Sequence, residues 1–480
     1  MTEKKKVLSN FMWRFMEHCG AHGVSFVVSI VLARILAPED YGSIALVTVF
    51  TSLLQVFINS GFGIALIQKK DADDLDFSTV FFFNVAMCLI LYGLLFLTAP
   101  LIAAFYEMPE LTSIIRVLGL TLIISGVKGV QQSYVSKNLL FKRFFFATLG
   151  GTIGAALVGI YMAYKGFGVW ALVAQSLFNN AVDTLILWFA VKWRPKWMFS
   201  WGRLKRLFSY GWKILASALL DTGYRDLHQL IIGKMYTAGD LAYYNKGSMF
   251  PKMVVVNINS SIDSVLLPTM AAEQTDRTRM KAMTRRAITI SSYIMMPMMM
   301  GIAVCAVPLT RLLLTEKWLP SVVFLRIFCF SYAFHPIHTA NLNAIKAMGR
   351  SDLFLKLEIA KKVVGLVSIL ATMFISVEAM AYSLIVSTVA SQIINSWPNK
   401  KLLGYSYLEQ VKDMLPQIVL SCVMGAVVYC VNFLGLGDIL TLLLQVLVGV
   451  LVYVMGSLLF KVESFTYLLD TLKSFSPKKK

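Results

Sequence analysis

Charged side chains make up only 15% of the 480 residues, and acidic ones are the scarcest, 26 against 45 basic. A soluble domain carries about 25% charged residues. That shortage, with 57% apolar residues and a mean hydropathy of +0.69, excludes an ordinary cytosolic enzyme. Long polar segments are missing as well, so no separate catalytic domain fits between the apolar runs. Cysteine is sparse: Cys19, Cys88, Cys305, Cys329, Cys422 and Cys430 stand singly in apolar stretches, without the close pairs of metal or redox motifs, and read as buried, reduced thiols. No HExxH, Walker loop or GxSxG with a partner histidine is present. No catalytic residue, metal or cofactor is expected.

What is there is membrane-length apolar sequence. A bilayer span needs about 20 residues, and such runs recur about fourteen times, the first near Phe11 to Leu36 and the last near Ile439 to Phe460. The basic N-terminus has no small-residue cleavage site and reads as the start of span 1, not a signal peptide. With that end inside, Lys4 to Lys6, Lys69, Lys70, Lys192 to Arg206 and Arg277 to Arg286 gather on one side of the membrane. The bias orients both chain ends to the cytoplasm. It also accounts for the net charge of +19 through topology and anionic headgroups, without nucleic acid.

An internal repeat is written at an offset of two hundred residues. Val31 to Phe50 lies over Ile231 to Phe250, matching Arg34 with Lys234, Asp40 with Asp240 and Phe50 with Phe250. Without a gap, Ile58, Asn59 and Ser60 then match Ile258, Asn259 and Ser260. The unit is six helices, an even number, so the repeats run parallel. The expected fold is an all-α polytopic membrane protein with two parallel-repeat six-helix lobes around a central cleft, plus two extra C-terminal helices. Residues 1–191 form an N-lobe of spans 1–6, and residues 192–208 a basic amphipathic linker on the cytoplasmic surface. Residues 209–398 form a C-lobe of spans 7–12, and residues 399–480 hold spans 13 and 14 and a basic tail.

Ionisable residues inside a bilayer cost about 2.5 to 3.5 kcal/mol each on insertion scales, so clusters of them mark function. Span 1 carries Arg14, Glu17, His18 and His22 on one face; span 7 carries Lys213, Asp221, Tyr224, Arg225, Asp226 and His228. These are repeat-equivalent helices, and their polar stripes are expected to meet across a wet cleft. Arg116, Lys128, Lys246, Lys252, Asp263, Arg326, His335 and His338 are secondary positions. The acidic stretch Asp71 to Asp76 contains a DxD pattern but joins two spans with no nucleotide fold around it, and reads as a solvated loop.

Four segments carry a family resemblance: ARILAPEDYG (Ala33 to Gly42), SGFGIALIQKK (Ser60 to Lys70), SKNLLFKRF (Ser136 to Phe144) and GFGVWALVAQ (Gly166 to Gln175). With them the chain resembles the polysaccharide transport family of the multidrug/oligosaccharidyl-lipid/polysaccharide exporter superfamily, the Wzx-type flippases. The resemblance implies a non-enzymatic, multi-pass protein of a bacterial inner membrane. Such a protein moves an undecaprenyl-diphosphate-linked oligosaccharide across the bilayer by alternating access, in polysaccharide or lipopolysaccharide biosynthesis. On that reading Arg14, His18, His22, Lys213, Tyr224, Arg225 and His228 meet the anionic substrate, and Glu17, Asp221 and Asp226 take a coupling proton or sodium ion. The partners are the lipid-linked anionic oligosaccharide, that ion, the assembly machinery and the membrane. An ion-coupled multidrug/cation antiporter of the same superfamily would call for an acidic cleft, against Arg14, Lys213 and Arg225. A membrane-embedded polymerase or glycosyltransferase would need longer loops.

Overall fold

Asp40 and Asp240 perform the same task two hundred residues apart. The Asp40 carboxylate accepts the Ala37 N–H at 3.1 Å, and the Asp240 carboxylate accepts the Thr237 N–H at 3.2 Å. Each sits in the first turn of a helix and satisfies one of the backbone donors that a helix start leaves unpaired. At the second site Thr237 Oγ1 also accepts from the Asp240 N–H at 3.1 Å and completes a capping box. At the first, Ala37 cannot reciprocate, and Pro38 opens the helix instead. The repeat read from the sequence is therefore a repeat of helix-start chemistry.

The computed structural model describes residues 20–475 apart from 22, 60, 61, 70, 139 and 275. Its regular structure among those residues is helical throughout. The first unit, up to Ala242, contains α1 (Gly23–Ile35), α2 (Pro38–Asn59), α3 (Phe62–Gln68), α4 (Asp74–Tyr106), α5 (Leu111–Leu118), α6 (Leu120–Lys137), α7 (Phe141–Tyr164), α8 (Val169–Ala190) and α9 (Trp201–Met235). α10 (Ala238–Ala272) leads into the second, which holds α11 (Arg277–Val304), α12 (Ala306–Leu314), α13 (Ser321–Ala333), α14 (His335–Ala347), α15 (Ser351–Thr372) and α16 (Val377–Leu403). α17 (Tyr407–Cys430), α18 (Asp438–Leu459) and α19 (Glu463–Phe475) follow.

Each unit repeats the same internal plan. α7 pairs with α8 as α15 pairs with α16, and α4 packs on α5 and α6 as α11 packs on α13 and α14. Arg116, on α5, donates to the Phe96 carbonyl at 3.4 Å; Arg326, at the corresponding place on α13, donates to the Ala303 carbonyl at 3.3 Å. A guanidinium bound to a backbone oxygen in both units is an internal tie, which explains these two cations structurally. α17 and α18 stand outside the plan and pack against α11.

Among the described residues, eight helices are long and apolar enough to cross a membrane by length and composition. The expected fourteen are thus met in part by that measure. α9 and α10, 35 residues each, carry internal ionisable residues, and the expected span 10 is two helices, α13 and α14, broken at Phe334. Proline does not end these helices: α10 runs through Pro251 and Pro268, and α11 runs through Pro297. Inside membrane proteins neighbouring helices re-satisfy the freed carbonyls, so such helices continue. Of the described cysteines, Cys88, Cys305 and Cys329 are buried, while Cys422 and Cys430 lie on the surface of α17.

The division of contacts falls after Ala242, so α9 belongs with the first unit: it packs along α2, α3 and α4. Its kinship in the repeat is with α1, whose end at Ile35 matches its own end at Met235. Gly42 permits the close crossing at the end of this helix, since a Cβ there would lie 1.9 Å from the Ala238 carbonyl oxygen.

The linker before α9 is held by the acidic stretch that read as a solvated loop. Asp73 and Asp76 form the capping box of α4, and the backbone N–H of Asp76 holds the Asp73 carboxyl below the usual carboxylate range. Asp76 is fully buried and takes Lys69 at 2.5 Å and Arg203 at 3.1 Å. Lys196 pairs with Asp74 at 2.6 Å, and the Trp193 indole N–H donates to the same carboxylate at 3.1 Å. The backbone N–H groups of Lys196 and Ser200 donate to Ser78 Oγ and Thr79 Oγ1. Basic linker and acidic turn therefore form one polar lock at the start of α4. Asp76→Asn leaves Lys69 and Arg203 beside a neutral amide, and since breaking a buried pair costs about 3–5 kcal/mol, a loss of about 2–4 kcal/mol is expected for these half-exposed cations. Thermal unfolding in detergent reads this, together with faster tryptic cleavage at Lys192 and Lys196; wild-type values in both would refute the lock.

Candidate functional site

α9 has two polar faces with different surroundings. Thr222 and Asp226, one turn apart, are buried against α2, where Ser52 Oγ donates to Asp226 Oδ2 at 3.0 Å. The Gln229 amide lies 3.5 Å from Asp226 Oδ1. Further along, a Cβ at Gly233 would lie 2.2 Å from Leu46, so glycine there lets α9 and α2 touch. On the other face Asp221 and Arg225 are exposed, with 64% of the Arg225 side chain accessible, and Tyr224 and His228 are half-buried.

Of the expected stripe of Asp221, Arg225 and His228, the first two are exposed and His228 is half-buried. Asp221 and Arg225 share the open face, whereas Asp226 turns inward. The two faces remain linked, since Arg225 Nε lies 3.9 Å from Asp226 Oδ1 and its terminal nitrogen 3.5 Å from Thr222 Oγ1. An exposed guanidinium backed by a buried carboxylate keeps a defined direction while its outer N–H groups remain available to an anion. Lys213 lies on the same helix. Arg14, Glu17, His18 and His22 lie outside the described residues.

One polar pair escaped the sequence reading in part. Lys128 on α6 meets Asp183 on α8 at 2.9 Å, with 13% and 12% of the two side chains accessible. Lys128 stood among the secondary positions; Asp183, a single acid in an apolar helix, did not. The spacing that separates Arg116 from Arg326 also separates Lys128 from His338, and His338 Nδ1 lies 2.6 Å from the Asn395 carboxamide on α16. Both units therefore place a polar pair at one helix crossing, charged in the first and neutral amide in the second.

Behind His338 the second unit contains a buried side-chain network. Asn341 donates to Ser396 Oγ and Gln410 Oε1 at 3.2 and 2.7 Å, and Asn399 donates to Asn341 Oδ1 at 2.6 Å. All four are fully buried and tie α14 to α16 and α17. The signal lay in α16, where Gln392, Asn395, Ser396 and Asn399 recur at helical spacing, but amides without charge did not register as a site. Lys361, which a sequence reader would leave in the headgroups, is buried and pairs with Glu358 at 2.6 Å. α17 and α18 enclose with α11 an apolar recess of about 550 Å³ that includes Pro297, Met424 and Tyr453. Tyr453 OH donates to the Tyr293 carbonyl at 2.8 Å at its edge.

The family model described as polysaccharide biosynthesis protein matches residues 31–323, more than half of the chain. The chain belongs to this family. Among curated relatives, the chain is similar to the teichuronic acid biosynthesis protein TuaB of Bacillus subtilis (strain 168), 23% identical over 436 residues covering 89% of each chain. It is equally similar to the lipopolysaccharide biosynthesis protein WzxC of Escherichia coli (strain K12), 23% identical over 445 residues and 89% of each chain. Its fold is similar to that of a solved structure of the lipid II flippase MurJ in an inward closed conformation, with a TM-score of 0.75 at 14% identity, covering 95% of this chain and 99% of that one. At that identity the likeness is one of fold. In this chain the motif residues have structural work: Asp40 of ARILAPEDYG caps α2 and touches the place where a Cβ of Gly168, from GFGVWALVAQ, would sit, 3.1 Å away. Gly168 has φ of +53°, which glycine adopts without strain.

Proposed function

We propose that the protein is a transporter, not an enzyme, that moves a lipid-linked oligosaccharide on an undecaprenyl diphosphate carrier across the bacterial inner membrane by alternating access. The observation that carries this reading is Arg225: an accessible cation on a helix whose opposite face is fixed to α2 through Asp226 and Ser52. A diphosphate crossing hydrocarbon needs such a fixed, multidentate donor, and Arg supplies it better than a point charge. Membership of the polysaccharide biosynthesis family, relatives named for teichuronic acid and lipopolysaccharide biosynthesis, and the fold shared with a lipid II flippase support the same reading.

In this scheme Arg14, His18, His22, Lys213, Tyr224, Arg225 and His228 meet the diphosphate and first sugars. Glu17, Asp221 and Asp226 carry the coupling proton or sodium ion. Both chain ends face the cytoplasm, and the polysaccharide assembly machinery takes the product. The test is a deletion strain. Lipid-linked oligosaccharide should accumulate in the inner leaflet, inaccessible to an external glycosidase, and surface polysaccharide should return when the gene is supplied. Accumulation in the outer leaflet would overturn the reading, and a reporter fused after Lys480 that scores as external would overturn the orientation.

A further inference from the structure

The second unit contains a polar pocket that the reading above does not use. It is a cavity of about 360 Å³ between α10 and α14, lined by Asn259, His335, His338, Thr339, Asn343 and Lys346 with an apolar wall of valine and leucine. Among the described residues its lining includes an ammonium, two imidazoles, two carboxamides and a hydroxyl, and no carboxylate. A cation would find no counter-charge there. An anion would find donors from several directions.

The pocket is also built. Asn343 and Thr339 are 3% and 7% exposed, so their polar ends are committed to the interior. Both imidazoles are held at Nδ1 by a carboxamide, His335 by Asn259 at 2.8 Å and His338 by Asn395 at 2.6 Å. A carboxamide donates or accepts, so it holds the ring in a fixed orientation in either tautomer. The rings lie edge to face, centroids 5.4 Å apart. Lys361 Nζ stands 3.5 Å from His338 Nε2, with its own charge shared by Glu358 at 2.6 Å. The Asn341 network fixes the far side of α14, so the wall carrying both histidines is rigid. Lys346, beside the Phe354 ring at 4.8 Å, has no carboxylate partner among the described residues.

We propose that this pocket is a phosphate site of the second unit, which binds the diphosphate of the lipid-linked cargo through His335, His338 and Lys346, with the Asn259, Thr339 and Asn343 side chains as neutral donors. The cavity is at the small end of the range for ligand pockets, about 300–1,000 Å³, which suits a diphosphate rather than a whole oligosaccharide. The identity of the cargo rests on the function proposed above; the phosphate chemistry rests on the pocket alone.

The experiment uses the full chain in nanodiscs of zwitterionic lipid, titrated with undecaprenyl diphosphate and separately with inorganic pyrophosphate. Lys346→Gln is expected to weaken binding of both about tenfold, and His335→Gln combined with Lys346→Gln about a hundredfold, with unchanged thermal unfolding. Wild-type affinity in the double variant would overturn the site. Because His335 touches Asn259, Lys346→Gln alone keeps the test valid if the double variant is unstable. Nanodiscs containing phosphatidylglycerol separate the sources. Retained undecaprenyl diphosphate binding assigns the site to cargo, and its displacement by the phospholipid overturns that assignment. If the deletion strain shows the flipping defect while the variants bind normally, this inference fails alone; if the variants lose binding while the strain shows no flipping defect, the phosphate site stands and the cargo reading fails.

Discussion

Arg225→Ala should abolish surface polysaccharide while the protein stays in the membrane at its normal level. The side chain is 64% accessible, so removing it opens no cavity in the first unit. What it removes is a charged hydrogen-bond donor, worth about 1.5–3 kcal/mol to a bound anion, or roughly 10- to 150-fold in the transport rate. Arg225→Lys separates charge from geometry. If the fork of the guanidinium matters, lysine restores less than a tenth of the lost rate; if charge alone suffices, it restores most. Asp226→Asn probes the buried side of the same helix. The amide still fills the space against Ser52 at 3.0 Å, so folding is preserved, while the negative charge that faces Arg225 is lost. An ion-carrying Asp226 then shows as a flattened pH or sodium dependence of transport in proteoliposomes. Normal polysaccharide in Arg225→Ala would remove the anion-binding role of α9.

The features legible in the sequence are those that act locally. Asp40 and Asp240 announced their helices because a cap works within four residues, and the matching caps then revealed the repeat. The polarity of α9 was legible for the same reason. Its division into a packed and an open face was not, because that depends on α2 placing Ser52 beside Asp226 across a long stretch of chain. The acidic stretch Asp71 to Asp76 shows the limit more sharply. Taken alone, four acids in six residues resemble a hydrated turn; only the fold brings Lys196 and Arg203 onto them. Charge was readable, partnership was not. The amides of α16 show only a helical spacing and Asp183 only a single charge, since each acquires its meaning from a residue on another helix.

The pair Lys128 and Asp183 permits a test that separates support from transport. Each side chain is nearly enclosed, and among the described residues Asp183 Oδ1 has no hydrogen-bond partner, so either residue alone would be an uncompensated charge inside the first unit. Removing one partner of a buried ion pair costs about 3–5 kcal/mol, and replacing both by apolar residues of similar volume is often neutral or stabilising. Lys128→Met and Asp183→Leu should therefore each lower the thermal midpoint and the membrane level strongly, while the combined variant recovers both. Unfolding of the four proteins in detergent forms a double-mutant cycle with an expected coupling of about 3 kcal/mol, the non-additive kind that contacting residues show. Additive losses would mean the two groups do not form a pair in the bilayer. Transport by the recovered double variant then assigns the pair. Normal flux makes it a brace between α6 and α8, as His338 and Asn395 brace α14 against α16. Lost flux in a stable protein makes the charge itself part of the conformational cycle, because the packing it provides has already been replaced.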